Sequence, residues 1–269
     1  MYQERGDPTY ACSIIPGRDK LASQTHSGRR PQQRTPSPFS DEKEKNVCGF
    51  NVTIPYKELI IKKLDSIDEH SKKIGAVNYV TKQNNFWVGK NTDWTGFIEP
   101  LPKAKKTKVV ESYIIKRPIV MGYGGAAKAV IYALQNQKMS EIKVFNRTYE
   151  KVKHLNSASQ IKAFRLSEIK DHLKNCTLII NTIPINVFDN LVDFFKNQPV
   201  FNEEVMGYDI VYKPKESKFL SYFKENKRIY GMDMLIYQAA PCFEDWFGEK
   251  PVIDAGLSYL LEKETTQWL

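Results

Sequence analysis

Long apolar runs are missing from this chain. Nothing in it approaches the roughly 20 consecutive apolar residues that a membrane-spanning helix requires, and its first residues are polar. A spanning helix and a secretory leader are therefore not expected, which leaves the cytoplasm as the expected compartment. Cysteine is scarce and scattered. Cys12, Cys48, Cys176 and Cys242 stand too far apart for metal or redox spacing, so reduced, mostly buried thiols are expected. The histidines His26, His70, His154 and His172 form no cluster with them, so no metal site is expected. No segment repeats at a fixed period, which argues against repeat architectures.

Charge is unbalanced, at a formal +9, but the lysines are scattered and no nucleic-acid recognition motif accompanies them. Nucleic acid is not expected as a partner. A basic surface also suits anionic small molecules. The 269 residues are 41% hydrophobic, enough for a soluble globular protein with one large domain or two of ordinary size.

Residues 1–46 differ from the rest. Proline, serine, arginine and glutamine dominate there, as in Thr35-Pro36-Ser37-Pro38, and apolar periodicity is nearly absent. Such a stretch buries too little apolar surface to offset its ordering entropy. It is expected to be irregular or disordered, apart from a short strand around residues 11–15. Order is expected from Val47. Residues 49–54 read as a strand, and Pro55 as the first-turn residue of a helix that carries Lys57. An amphipathic segment follows over 66–74, then a pair of strands at 76–81 and 85–89. Residues 91–96 read as a loop leading into another helix.

From Pro118 onward strands and helices alternate. Strands are expected at 119–121, 142–145, 178–180 and 208–212, and helices at 126–137, from 150, and at 217–226. That alternation predicts an α/β fold with a parallel sheet covered on both faces. Helices are expected again at 232–247 and 252–262.

The strand at 119–121 ends in Gly122-Tyr123-Gly124-Gly125, which opens a helix. This is the context a dinucleotide fingerprint requires. Gly122 permits the tight turn. Gly124 and Gly125 clear side chains from backbone N–H groups that meet a pyrophosphate, and the helix N-terminus adds favourable partial charge. An NAD site usually carries an acidic residue at the end of the next strand. Here Asn146-Arg147-Thr148 stands there. Arg147 suits a 2′-phosphate, with neutral hydrogen bonds from Asn146 and Thr148, so NADP is expected over NAD.

Reducing a ketone by hydride leaves an alkoxide that needs a proton. Lys57 is the candidate donor, in a first turn where partial charge and desolvation both favour the neutral amine. Asp93 is positioned in sequence to orient it or to hold the same hydroxyl. Asn78 is a candidate for a neighbouring hydroxyl. Each would be an ordinary surface or loop residue alone; their occurrence with the glycine turn gives them weight.

Six motifs occur in order: Asn51-Val52-Thr53-Ile54-Pro55-Tyr56-Lys57, Gly75-Ala76-Val77-Asn78, Asn91-Thr92-Asp93-Trp94-Thr95-Gly96, Gly122-Tyr123-Gly124-Gly125-Ala126, Asn146-Arg147-Thr148 and Met234-Leu235-Ile236-Tyr237-Gln238-Ala239-Ala240. Together they resemble the shikimate dehydrogenase family from about Gly49 to the C-terminus. The resemblance implies a Rossmann-type NADP-binding domain (101–230) inserted into a smaller α/β substrate domain (47–100 and 231–269), with the active site in the cleft between them. It implies NADPH-dependent, reversible reduction of 3-dehydroshikimate to shikimate in aromatic amino-acid biosynthesis, by a monomer or homodimer. Carried over by position, Lys57 is the acid/base and Asp93 its partner. Thr53, Asn78, Tyr212 and Gln238 are substrate contacts. Gly122, Gly124, Gly125, Ala126, Asn146, Arg147 and Thr148 hold the cofactor, and Glu69, Ile210 and Gly231 lie near the nicotinamide.

The N-terminus departs from the family pattern. A Ser-x-Ser-Pro motif is expected there for the substrate carboxylate. Ser13-Ile14-Ile15-Pro16 echoes it with the second serine lost, which leaves Ser13 as the candidate carboxylate contact. Lys213 and Asp233 also depart from the residues expected beside those motifs. Two alternatives stay open at this point: an NADP-binding pseudoenzyme or inactive protein with a disrupted N-terminal substrate site, and a quinate/shikimate dehydrogenase.

Overall fold

The computed structural model describes residues 14–16, 47–102, 115, 117–139, 141–174, 176–184, 205–257, 260–261 and 263. The chain divides into two compact units, Met1–Asn91 with Asp245–Phe247, and Thr92–Glu244 with Gly248–Leu269.

The first unit is built on strands β1 (Ile14–Pro16), β2 (Val47–Asn51), β3 (Ser66–Ile67), β4 (Tyr79–Gln83) and β5 (Phe86–Lys90). They form one sheet in the order β1-β2-β4-β5-β3. Only β3 runs parallel to its neighbour; the other pairings are antiparallel. The β4–β5 hairpin closes between paired Gln83 and Phe86. Its two turn residues, Asn84 and Asn85, both take positive φ (49° and 64°). That is the geometry a two-residue hairpin demands, and asparagine tolerates it well.

Phe50, Val52, Val77, Val80 and Trp87 form this unit's core. Phe50 and Trp87 meet at 5.6 Å between ring centroids, a tilted aromatic pair. Helix α1 (Glu69–Ile74) is capped at both ends. Asp68 accepts a 2.7 Å hydrogen bond from the Ser71 N–H, and Gly75 ends the helix at φ 72°.

The second unit contains strands β6 (Ile119–Met121), β7 (Ile142–Asn146), β8 (Ile161–Arg165), β9 (Leu178–Asn181), β10 (Met206–Asp209) and β11 (Arg228–Ile229). All pair in parallel, in the order β11-β10-β9-β6-β7-β8. Helices α2 (Asp93–Ile98), α3 (Gly125–Asn136) and α4 (Gly231–Phe247) accompany them. The last three residues of α4 group with the first unit.

Period-two alternation sends neighbouring residues to opposite faces of the sheet. Val120, Leu178 and Ile180 join one core with Val130, Leu134 and Phe97. Ile119, Met121 and Ile179 join the other with Phe219, Leu220 and Phe223. Burial on both faces explains why these strands read as continuous apolar runs. Tyr208 stacks on Phe97 at 4.9 Å in the first of those cores.

Several elements differ from the sequence expectation. Lys57 does not sit in a first helical turn: residues 54–58 form a turn, and a short 3₁₀ helix follows over Leu59–Lys63. The Lys57 carbonyl accepts from the Val77 N–H at 2.7 Å, and the Val52 N–H donates to the Asn78 carbonyl at 2.7 Å. Tertiary pairing thus takes a backbone group that a helix ladder would need. The expected helix from residue 150 is two 3₁₀ segments, Tyr149–Lys151 and Lys153–Ser157. The Ser157 hydroxyl donates to the His154 carbonyl there and competes with an α ladder, while the Asn156 side chain accepts from the Ala163 N–H of β8.

The expected helix at 217–226 reduces to Leu220–Tyr222 and Glu225–Lys227. The strand expected at 208–212 is Met206–Asp209. The amphipathic 66–74 segment splits into β3 and α1. Residues 255–257, 260–261 and 263 are helical; the rest of the expected terminal helix lies outside the described residues. So do residues 1–46 other than the strand Ile14–Pro16, which lies at the end of the strand expected around 11–15.

Candidate active site

Strand β6, first in the second unit, sits between β7 and β9, so chain order reverses across it. Loops leaving the carboxyl ends of strands at such a reversal form the ligand crevice of open α/β sheets. Gly122 leaves β6 at φ 102°, a value that favours glycine, and its N–H donates to the Phe145 carbonyl at 2.8 Å. A Cβ there would collide with the Thr182 hydroxyl. Thr182 in turn donates to the Met121 carbonyl at 2.6 Å, which ties the exit of β9 to the turn.

Gly124 is the N-cap of α3, with no side-chain cap, and a Cβ on it would meet nothing within 4 Å. Open space beside an uncapped first turn fits a phosphate held by backbone N–H groups. Gly125 and Ala126 are the first residues of α3 and are half-buried. Asn146 ends β7, the strand paired with β6, and its amide donates to the Thr148 carbonyl at 2.8 Å. Arg147 and Thr148 follow it and are exposed. The structure therefore brings all the expected residues of the glycine turn and the Asn146–Thr148 stretch to the same ends of adjacent strands β6 and β7.

Tyr123, inside the glycine turn, makes a 3.1 Å hydrogen bond to His154 Nε2, and Lys128 Nζ stands 5.4 Å from its ring centre. Sequence reading missed this pair, since residues 123 and 154 carry no shared motif.

Ile210 and Gly231 also come together. A Cβ on Gly231 would lie 2.6 Å from the Ile210 carbonyl oxygen and from Val211. Glycine at the start of α4 is what lets the helix close on that loop. Tyr212 lies two residues beyond Ile210 and is 45% exposed.

Beneath the loop is a buried polar cluster. Asp209, at the end of β10, accepts from Asn181 Nδ2 (3.0 Å) and the Val211 N–H (3.0 Å) on one oxygen, and from the Ser217 hydroxyl (2.5 Å) on the other. Burial pushes the Asp209 pKa up, opposed by those three hydrogen bonds. The sequence offered no signal for this cluster beyond polar residues following apolar strands.

Asp93 is the first residue of α2 and is buried. Beside it, the Thr92 hydroxyl donates to the Gln238 carbonyl of α4 at 2.8 Å. Gln238 is half-buried, and its amide donates to the Leu235 carbonyl at 3.1 Å. A Cβ on Gly96 would stand 2.6 Å from the Gln238 Cβ and 2.7 Å from the Met234 carbonyl, so α2 and α4 approach closely only with glycine there.

In the first unit, Thr53, Lys57 and Asn78 share one backbone knot. The Tyr56 N–H donates to the Thr53 carbonyl, and segments 52 and 57 pair with 78 and 77. Asn78 is buried, Lys57 half-buried and Thr53 exposed. Glu69, in the first turn of α1, is exposed and paired with Lys72 at 2.6 Å, which holds its carboxyl below the ordinary range. Ser13 lies outside the described residues. Among the described residues no group of histidine, cysteine and carboxylate side chains is arranged for a metal ion, and no helix is long and apolar enough to cross a membrane.

The strand order and the glycine turn at its reversal define a Rossmann-type dinucleotide-binding protein. Residues 25–80 match the shikimate dehydrogenase substrate binding domain, and residues 104–186 match the shikimate / quinate 5-dehydrogenase family. The first match begins well before Gly49, where the motifs alone suggested the resemblance starts. Shikimate dehydrogenase (NADP(+)) of Dictyoglomus turgidum is 38% identical over 211 residues, which cover 75% of this chain and 73% of its relative. The Shouchella clausii protein of the same name is 38% identical over 78% of this chain and 76% of its own. The solved shikimate 5-dehydrogenase of Thermus thermophilus, in complex with NADP(H) and shikimate, superposes with a TM-score of 0.65 at 26% identity, over 85% of this chain and 82% of that one. The chain belongs to the shikimate dehydrogenase family.

Proposed function

We propose that this protein is an NADP-dependent shikimate dehydrogenase, an oxidoreductase that interconverts 3-dehydroshikimate and shikimate on the route to aromatic amino acids. The observation that carries the reading is the Gly122–Gly125 turn at the reversal of a parallel sheet in a chain of this family. The inactive and quinate-preferring alternatives have no comparable support, since the relatives named above are NADP-dependent shikimate dehydrogenases.

When bound, NADPH supplies the hydride to the substrate's ketone carbon. The chain's own residues supply the rest. Lys57 delivers a proton to the oxygen that becomes the hydroxyl, and recovers one in the reverse direction. Asp93 holds the same hydroxyl. Thr53, Asn78, Tyr212 and Gln238 orient the ring through its oxygens, and Ser13 meets the carboxylate. The first turn of α3 holds the pyrophosphate, and Arg147 with Asn146 and Thr148 recognises the 2′-phosphate. Glu69, Ile210 and Gly231 border the nicotinamide. Residues 101–230 form the cofactor domain, and 47–100 with 231–269 the substrate domain. The protein acts in the cytoplasm as a monomer or homodimer, without nucleic acid.

The test is a steady-state assay of shikimate and quinate against NADP and NAD. The reading expects shikimate with NADP to be the preferred pair. Lys57→Ala is expected to lose turnover by at least about a hundredfold while still binding NADPH. A Lys57→Ala variant that turns over at the wild-type rate removes Lys57 from its role.

A further inference from the structure

The polar cluster under residues 210–212 is more than a way to end a strand. We propose that Asp209, held between Asn181 and Ser217, is a positioning residue that fixes this loop against the nicotinamide half of the cofactor. The inference rests on the functional reading above and names a residue that acts through the loop, without touching the reacting atoms.

The carboxylate is deeply enclosed, with Asp209 and Asn181 each 1% exposed and Ser217 5%. A buried carboxylate is costly, and the one backbone N–H it meets, that of Val211, would be satisfied by a neutral side chain. What the carboxylate adds is acceptor capacity on two oxygens. It gathers donors from three separate segments: Asn181 at the exit of β9, the Val211 N–H in the loop, and the Ser217 hydroxyl beyond it. Ser217 is then fixed further by the Leu220 N–H at 3.2 Å. All three partners of Asp209 are donors, so the ionised form satisfies every one.

The loop is held on both sides as a result. Its N–H groups turn to the cluster, Ile210 to the Asn181 carbonyl at 3.1 Å and Val211 to Asp209 at 3.0 Å. Its carbonyls face Gly231, where no side chain fits. The N–H groups of Ile210 and Val211 are thus taken up by the protein itself.

The same β9 exit reaches the glycine turn. Thr182, next to Asn181, bonds the Met121 carbonyl through both its N–H (3.0 Å) and its hydroxyl (2.6 Å) and packs against Gly122. Asn181 and Thr182 therefore join the pyrophosphate turn to the 210–212 loop. A dinucleotide spanning both has its two halves referenced to one rigid strand end. A displacement near 1 Å at such a site costs on the order of a hundredfold in rate.

The experiment compares wild type, Asp209→Asn and Ser217→Ala by NADPH titration, by the emission of the bound nicotinamide, and by steady-state kinetics. The dissociation constant for NADPH is expected to stay within about threefold, because the adenine half sits on the β6–β7 ends. Emission of the bound nicotinamide is expected to move toward that of free NADPH. The kcat is expected to fall about tenfold or more in Asp209→Asn and less steeply in Ser217→Ala, with KM for shikimate rising as Tyr212 moves with the loop. Wild-type emission and kcat in both variants, with only a lower unfolding midpoint, would show a purely structural cluster and overturn the proposal. So would a loss of NADPH affinity that accounts for the whole loss in rate. Should Asp209→Asn fail to fold, Ser217→Ala, which removes a single donor, decides the matter by the same readouts. Absence of shikimate turnover in the wild type would count against the assigned reaction, and the emission comparison would still judge this inference.

Discussion

Among single side chains, Arg147 bears on the proposed cofactor choice and Asp209 on a coupling of folding to pH. Arg147 is exposed just beyond β7, with no carboxylate among its immediate chain neighbours Asn146 and Thr148. A charged hydrogen bond to a 2′-phosphate contributes about 1.5–3 kcal/mol, or roughly 10- to 150-fold in affinity. Arg147→Ala is expected to weaken NADPH binding by that factor and leave NADH binding nearly unchanged, as read by fluorescence titration. Equal losses for both would remove the 2′-phosphate role. Asp209 is one group whose protonation couples to folding. Burial raises its pKa above the ordinary carboxylate value. Between the two values the folded chain holds a proton that the unfolded chain has released, so this group's contribution to stability falls as pH rises through that window. Urea midpoints of wild type, taken relative to Asp209→Asn, are expected to decline from about pH 4 upward. A flat difference would contradict the shift.

At the level of elements, close approaches govern the geometry. Helices α2 and α4 meet at Gly96, where any Cβ would press on the Met234 carbonyl at 2.7 Å and the Gln238 N–H at 2.8 Å. These are backbone atoms, which cannot move aside by changing rotamer. Gly96→Ala is expected to cost about 1–3 kcal/mol, visible as a lower urea midpoint. An unchanged midpoint would mean that the helices separate freely. The elements most legible in the sequence were those whose local signals agreed with their tertiary setting. The β4–β5 pair is one, where runs containing Tyr79, Val80, Phe86, Trp87 and Val88 flank Asn84-Asn85, although β4 begins at Tyr79 instead of residue 76. Helix α3, opening directly after the glycines, is another. The misread elements were those where a long-range bond won. The Lys57 carbonyl goes to Val77 instead of to a helical partner, and the helical turn that Ser217 starts, with its hydroxyl also bound to Asp209, ends at Tyr222.

For the molecule as a whole, ligand binding and stability are linked. A ligand held only by the folded chain at about 100 times its dissociation constant adds roughly 2.7 kcal/mol. NADPH is expected to raise the unfolding midpoint accordingly, and to do so equally in Lys57→Ala, since the role proposed for the lysine is with the proton and not the cofactor. Thermal unfolding with and without NADPH checks this; a shift lost in Lys57→Ala would place the amine in cofactor binding.

The sequence by itself determined the fold class, the glycine turn, the Asn146-Arg147-Thr148 stretch after β7, and the order of motifs that marks the family. All of these are local: a strand's apolar run, a positive φ, a side chain at a fixed offset from a strand end. Only the tertiary structure decided that Lys57 leaves a turn instead of a helix, that Tyr123 bonds His154, and that Asp209 gathers Asn181, Val211 and Ser217. Those depend on residues far apart in the chain, or on which partner captures a backbone group, and a hydrogen-bonding group takes its best available acceptor in space, which sequence spacing does not encode.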